Sequence, residues 1–323
     1  MKAVLIREPG DASVLELGEV PQPAPGEGEV LIDVAAAGVN RADIAQREGH
    51  YAPPPGAPAW LGLEVSGVVA EVDAGVDGFS PGDRVCALLG GGGYAERVVV
   101  PAGQVLPVPA SIDLVEAAGL AEVVATVWSN VFLLADLRAG ETLLVHGGSS
   151  GIGTMAVQLG RAFGARVAVT ARSAVKLEAC RELGAEILID YTKDDFVHRI
   201  TDETGGADVI LDVVGGDYLN RNARALNVNG RIANISSLAG RQANLDLGAL
   251  MMKRGTIRST SLRARPAVEK AEIIASVHEN VWPLIENGTV RPVIGARYPL
   301  AQASEAHRLM ESSGHVGKIL LVV

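Results

Sequence analysis

The string His146-Gly-Gly-Ser-Ser-Gly-Ile-Gly153 gathers the residue types that let backbone amides approach a phosphate. Its glycines permit a tight turn and close contact with a pyrophosphate, and a helix N-terminus opening there favours negative charge. The spacing from Gly148 is G-x-x-G-x-G rather than G-x-G-x-x-G, so the string alone is weak evidence. Its setting gives it weight. The strand-like Thr142–Val145 precedes it, and a helical pattern over about 152–164 follows. Gly148, Ser150, Gly151, Ile152 and Gly153 are therefore the expected dinucleotide-phosphate contacts.

The segment after the next strand selects the dinucleotide. An NAD site carries an Asp or Glu about 20 residues on, to bond the ribose 2′-hydroxyl. No acid occurs from Thr142 through Leu177; Arg172, Ser173 and Lys176 follow the strand Arg166–Thr170 instead. A guanidinium, a hydroxyl and an ammonium suit a 2′-phosphate, so NADPH is the expected cofactor. Ser173 also has the plainer reading of a helix N-cap. A short-chain dehydrogenase is excluded, because no tyrosine has a Lys four residues on: Tyr51 meets Pro55 and Tyr191 meets Asp195.

These groups need elements to hold them. With 323 residues and 48% apolar content, the chain predicts about two domains. Up to about residue 120, short β-rich runs (Val30–Val39, Val65–Val72, Arg97–Val100) alternate with Gly and Pro turns, which suggests an all-β unit. Beyond it, Thr142–Val145, Arg166–Thr170, Glu186–Ile189, Asp208–Val214, Arg231–Ile235 and Thr256–Ser261 read as strands. Helical patterns at about 152–164, 173–184, 194–204 and 217–226 separate the first five, which predicts a doubly wound parallel sheet. One long helical segment, about Ala267 to Asn287, then leads through Tyr298–Leu300 and Gln302–Ser312 to a last strand, Lys318–Val323, in the manner of a return to the first domain. The expected boundaries are 1–122, 123–265 and 266–323.

The net charge of −10 argues against a nucleic-acid or anionic-membrane partner. Cys86 and Cys180 cannot build a disulfide scaffold or a structural zinc site. The opening MKAVLIREPG shows no secretory pattern, and the apolar stretch Val123–Ala135 falls short of a membrane span, so a cytoplasmic location is expected.

The whole chain resembles the zinc-independent quinone oxidoreductase branch of the medium-chain dehydrogenase/reductase superfamily. Within it, the resemblance is to the quinone oxidoreductases that a tumour-suppressor transcription factor induces in animals. The matching strings include Pro25-Gly-Glu-Gly-Glu-Val30, Asn40-Arg-Ala-Asp43, Tyr51-Ala-Pro-Pro-Pro-Gly56, Leu61-Gly-Leu-Glu64, Tyr191 to Phe196, Ser261-Leu-Arg263 and Gly317-Lys-Ile319. The resemblance implies an α/β fold: a GroES-like β-rich catalytic domain, a Rossmann domain, and reduction of a quinone by NADPH in a cleft between them. It also implies a homodimer, for which the edge-like alternation of Thr256–Leu262 offers an exposed strand.

The resemblance gives further residues their roles. Asn40 matches an asparagine near the nicotinamide ribose, and Tyr51 is expected to line the quinone site and donate a hydrogen bond. Tyr191 matches a residue covering the adenosine end. Thr126, Val214, Ser236, Leu238 and Leu262 are further cofactor-binding positions. Lys318 reads either as a cofactor contact or as a surface lysine. No metal is expected. Zinc-dependent members carry Cys where Asn40 stands and His where Leu63 stands, and neither Asn40 nor Leu63 is a usual zinc ligand. The same fold and cofactor would also allow reduction of α,β-unsaturated carbonyls, or NADPH binding without turnover.

Overall fold

A computed structural model describes residues 1–323, which divide into two compact units. One comprises Met1–Ala125 with Leu262–Val323, and the other Thr126–Ser261.

The first unit is built on a seven-stranded sheet. Strands Ile294–Pro299, Lys318–Val322, Glu29–Val39, Glu64–Val72, Arg84–Leu88 and Val105–Pro107 follow one another across it, and Arg97–Pro101 pairs with Glu29–Val39. Alternation along these strands builds the core: Val30, Ile32 and Val34 pack with Val65, Val69, Val98, Val100, Ile319 and Leu321. Gly67 is required where two strands cross closely, since a Cβ there would lie 2.0 Å from the Asp33 carbonyl oxygen. The last strand runs antiparallel to Glu29–Val39 with Ile319 opposite Val39, and this register carries Lys318 to the start of the helix Arg41–Arg47.

The second unit is a six-stranded, wholly parallel sheet. Its order is Ile187–Asp190, Arg166–Ala171, Thr142–His146, Ala207–Asp212, Leu226–Asn234, Thr256–Ser259. Counted along the chain this is 3-2-1-4-5-6, the Rossmann order, in which the direction of winding reverses beside the first strand. Helices Gly151–Ala162, Ala174–Leu183, Phe196–Thr204 and Tyr218–Ala225 link the first five strands. Leu143, Leu144, Val145, Val167, Val209 and Ile210 are fully enclosed, as expected of strands covered on both faces.

Three elements differ from the sequence expectation. The helical segment over 267–287 breaks into Ala267–Asn280 and Trp282–Glu286, because Pro283 has no N–H to continue the ladder. A helix at Leu247–Lys253 was not expected; it has only seven residues, too few for a helical period to stand out. The apolar stretch is also longer than its expected bounds. Glu116–Leu134 has the length and composition to cross a membrane, but 78% of its apolar window is buried inside the protein, as in a core helix. Its second half, Trp128–Leu134, is wound as a π-helix.

Candidate functional site

In the parallel unit, the turn after Thr142–His146 is fixed from within. Gly148 donates its amide to the Thr170 carbonyl at 3.0 Å, and the Ser150 hydroxyl caps the next helix by accepting from the Gly153 amide at 3.0 Å. Gly153 tolerates no side chain, since a Cβ would lie 2.3 Å from the Gly147 carbonyl oxygen. By helix geometry the amides of Gly151 and Ile152 have no carbonyl one turn behind them, which leaves them suited to an anion.

Arg172 and Ser173 follow the carboxyl end of the neighbouring strand. Ser173 is the N-cap of Ala174–Leu183 and accepts from the Lys176 amide at 3.5 Å, so the capping role is real. Burial, and then the nearby Arg172 charge, lower the pKa of the Lys176 ammonium. Two cations that raise each other's cost are what a bound phosphate would relieve, so the side chains present fit a 2′-phosphate. Tyr191 follows the strand Ile187–Asp190 and is exposed. Val214 and Gly215 follow Ala207–Asp212, with both amides held by the Asp212 carboxylate at 2.8 and 3.1 Å. The Ser236 carbonyl accepts from Asn234, and Leu238 is exposed beyond it. All these residues thus gather at the carboxyl edge of one sheet, where ligands bind in such folds. Thr126 is buried in the apolar helix, and its carbonyl accepts from Asn130 at 2.9 Å. His146 packs behind the turn, fully buried between Thr170 and Asn222.

In the β-rich unit, Asn40 stands between the strand Glu29–Val39 and the helix Arg41–Arg47. Its side chain is wholly committed. The Oδ1 accepts from Lys318 Nζ at 2.7 Å, and the Nδ2 donates to Glu64 Oε1 at 3.0 Å. Lys318 also donates to the Val39 carbonyl at 3.0 Å and pairs with Glu64 at 2.6 Å, so its three protons are engaged. The surface-lysine reading of Lys318 is therefore corrected: the residue is buried.

Beneath Asn40 lies a second buried group. Asp43 accepts from the Asn40 amide at 2.8 Å, the Gly62 amide at 3.0 Å and the Tyr94 hydroxyl at 3.1 Å. Tyr94 in turn meets His307 Nε2 at 3.3 Å, and His307 Nδ1 meets Arg47 at 3.2 Å. Burial pushes the Asp43 pKa up to about 6 against the pull of these amides.

Tyr51 is half-buried, and the Arg263 guanidinium lies over its ring, 5.1 Å from the centroid. Arg263 and its anchor Gln46 were not among the expected site residues, although Arg263 follows the buried Leu262 in one of the matching strings.

Zinc does not fit this unit. No group of three or more His, Cys, Asp or Glu side chains converges, and the Glu64 carboxylate is already taken by an ammonium and two amides.

Two family patterns match the chain: the alcohol dehydrogenase GroES-like domain over residues 26–110, and the zinc-binding dehydrogenase over residues 151–277. The chain belongs to the medium-chain dehydrogenase/reductase superfamily. Within it, the quinone oxidoreductase of Rattus norvegicus is 32% identical, across 100% of this chain and 98% of that protein. The crystal structure of Escherichia coli quinone oxidoreductase complexed with NADPH superposes with a TM-score of 0.91 at 28% identity, covering 100% of both chains. A structure of an NAD-dependent alcohol dehydrogenase superposes with a TM-score of 0.86 at 31% identity, again over 100% of both.

Proposed function

We propose that the chain is a metal-free NADPH:quinone oxidoreductase. The observation that carries this reading is the glycine turn at the head of the parallel sheet, followed by Arg172, Ser173 and Lys176 with no acid between Thr142 and Leu177. Resemblance to quinone oxidoreductases, one of them solved with NADPH, supports it.

When bound, NADPH supplies hydride, and a quinone needs no Lewis acid to accept it. The amides of Gly151 and Ile152, presented by the turn that Gly148, Ser150 and Gly153 fix with their own hydrogen bonds, hold the pyrophosphate, and Arg172, Ser173 and Lys176 hold the 2′-phosphate. Tyr191, Val214, Ser236 and Leu238 flank the dinucleotide, with Thr126 and Leu262 as further contacts. Asn40, clamped between Lys318 and Glu64, flanks the nicotinamide ribose and sets its position by contact. Lys318 works through Asn40, since its own protons are spent on Val39, Asn40 and Glu64. Tyr51 lines the acceptor site and donates a hydrogen bond there. The assembly is a homodimer joined at the Thr256–Ser259 edge.

An acceptor panel tests the reading. ortho-Quinones, para-quinones and enals are offered in turn while NADPH absorbance is followed. Oxidation with quinones is expected. Rapid turnover of enals with poor quinone turnover would assign the chain to double-bond reduction, and tight NADPH binding with no oxidation would make it a non-catalytic binder.

A further inference from the structure

Arg263 is held on two sides and left without a partner on the third. Its Nε donates to the Gly90 carbonyl at 2.7 Å, and its Nη2 donates to Gln46 Oε1 at 2.7 Å. Gln46 is itself fixed by donating to the Ala59 carbonyl at 2.9 Å. The residue is 6% exposed, and Nη1 is fully enclosed with no hydrogen-bond partner. An enclosed charged donor without an acceptor is costly, and such orphans call for an explanation. Arg263 forms no ion pair. The carboxylate that acts on it from a distance, Asp43, spends its oxygens on Asn40, Gly62 and Tyr94.

A second cation adds to the same field. Lys270, on the helix Ala267–Asn280, is also buried and also forms no ion pair. Burial, and then the Arg263 charge, lower its pKa. Two buried positive charges without paired acids, one of them beside the half-buried ring of Tyr51, form a region that favours negative charge on a visitor.

We infer that Arg263 Nη1 is the donor for the acceptor oxygen that gains negative charge during reduction, with Tyr51 as the ring the acceptor displaces or stacks upon. The inference rests on the quinone-reductase reading above. Hydride transfer from NADPH leaves NADP⁺ and converts a quinone to its hydroquinone monoanion: an O–H bond forms at one quinone oxygen, both carbonyl π bonds break as the ring becomes aromatic, and an electron pair comes to rest on the other oxygen. Solvent then supplies the proton that completes the hydroquinone. A fixed guanidinium in a desolvated setting does the work of an oxyanion donor.

The test uses 4-nitrophenol as a probe, which absorbs differently as phenol and as phenolate. Titrated against the NADP⁺-bound protein, the probe should bind as phenolate, with its pKa lowered by about one unit or more. In Arg263→Ala the shift should vanish, and quinone kcat should fall about 10²-fold while NADPH Kd changes less than twofold. Added guanidinium ion should restore part of kcat. A purely structural Arg263 would lower stability without moving the probe's pKa. An unshifted probe in a wild-type protein that reduces quinones would overturn the Arg263 assignment alone. A shifted probe in a protein inert to every quinone would overturn the parent reading instead.

Discussion

Lys318 and Glu64 meet at 2.6 Å with side chains that are 4% and 0% exposed. The contact spans almost the whole chain, because the last strand returns beside Glu29–Val39. Asn40 bridges both charges, so the pair fixes the amide expected at the nicotinamide ribose.

Breaking that pair from one side leaves a buried charge alone. Lys318→Met or Glu64→Gln should each cost about 3–5 kcal/mol, and the double variant less than the sum. Urea unfolding midpoints would measure this. Single-variant losses under about 1 kcal/mol would show that the pair is not closed in solution.

The His307 group makes a pH prediction. Arg47 can only donate, so His307 Nδ1 accepts from it and Nε2 carries the proton towards Tyr94. Burial, and then the Arg47 charge, push the His307 pKa down to about 3. An imidazole depressed on folding contributes stability above its unfolded pKa, near 6.5, and that contribution is lost as pH falls towards 3. Asp43, raised to about 6, acts oppositely: its contribution is present below its ordinary value and lost as pH rises through 6. Comparing wild type with His307→Gln isolates the imidazole. Between pH 7 and pH 5 the wild type should lose about 2 kcal/mol more than the variant. Parallel stability curves would contradict the buried neutral imidazole.

Why some of this was legible in the sequence, and some not, follows from the range of the forces involved. The first four parallel strands announce themselves because both faces are covered and their apolar runs are nearly continuous, whereas Thr256–Ser259 at the edge is mostly exposed. The glycine turn is legible because its capping is local: Ser150 reaches Gly153, three residues on. Arg263 gave no such signal, since Gly90 and Gln46 lie 173 and 217 residues away. Lys318 left its two readings open for the same reason, with Asn40 278 residues away. The helix Leu247–Lys253 was invisible for a different one: at seven residues it is too short to display a helical period.

That helix bears on assembly. Leu247, Met251 and Met252 are 64%, 75% and 80% exposed, on the segment that leads into the strand Thr256–Ser259 at the sheet edge. Unpaired edges beside apolar surface invite a second copy. Sedimentation should give a species of twice 33.5 kDa at micromolar concentration. A 33.5 kDa species alone would contradict the dimer.

Metal removal should leave catalysis intact, because Asn40 and Leu63 stand where zinc enzymes of the superfamily place ligands and Glu64 is already paired. Dialysis against a strong chelator, followed by quinone reduction, checks this. A large loss restored by zinc would contradict it.

The most direct measurement is kcat/KM for NADPH and for NADH with one quinone acceptor. The fold alone does not choose, since an NAD-dependent alcohol dehydrogenase shares it. The choice rests on Arg172, Ser173 and Lys176. A hydrogen bond to a charged group is worth about 1.5–3 kcal/mol, so two partly exposed contacts to a 2′-phosphate give a preference on the order of 10²-fold. Neutralising Arg172 and Lys176 together should raise KM for NADPH and leave that for NADH almost unchanged, and added salt should narrow the difference. The account predicts a strong NADPH preference in the unmodified protein; equal kcat/KM for the two dinucleotides would contradict it.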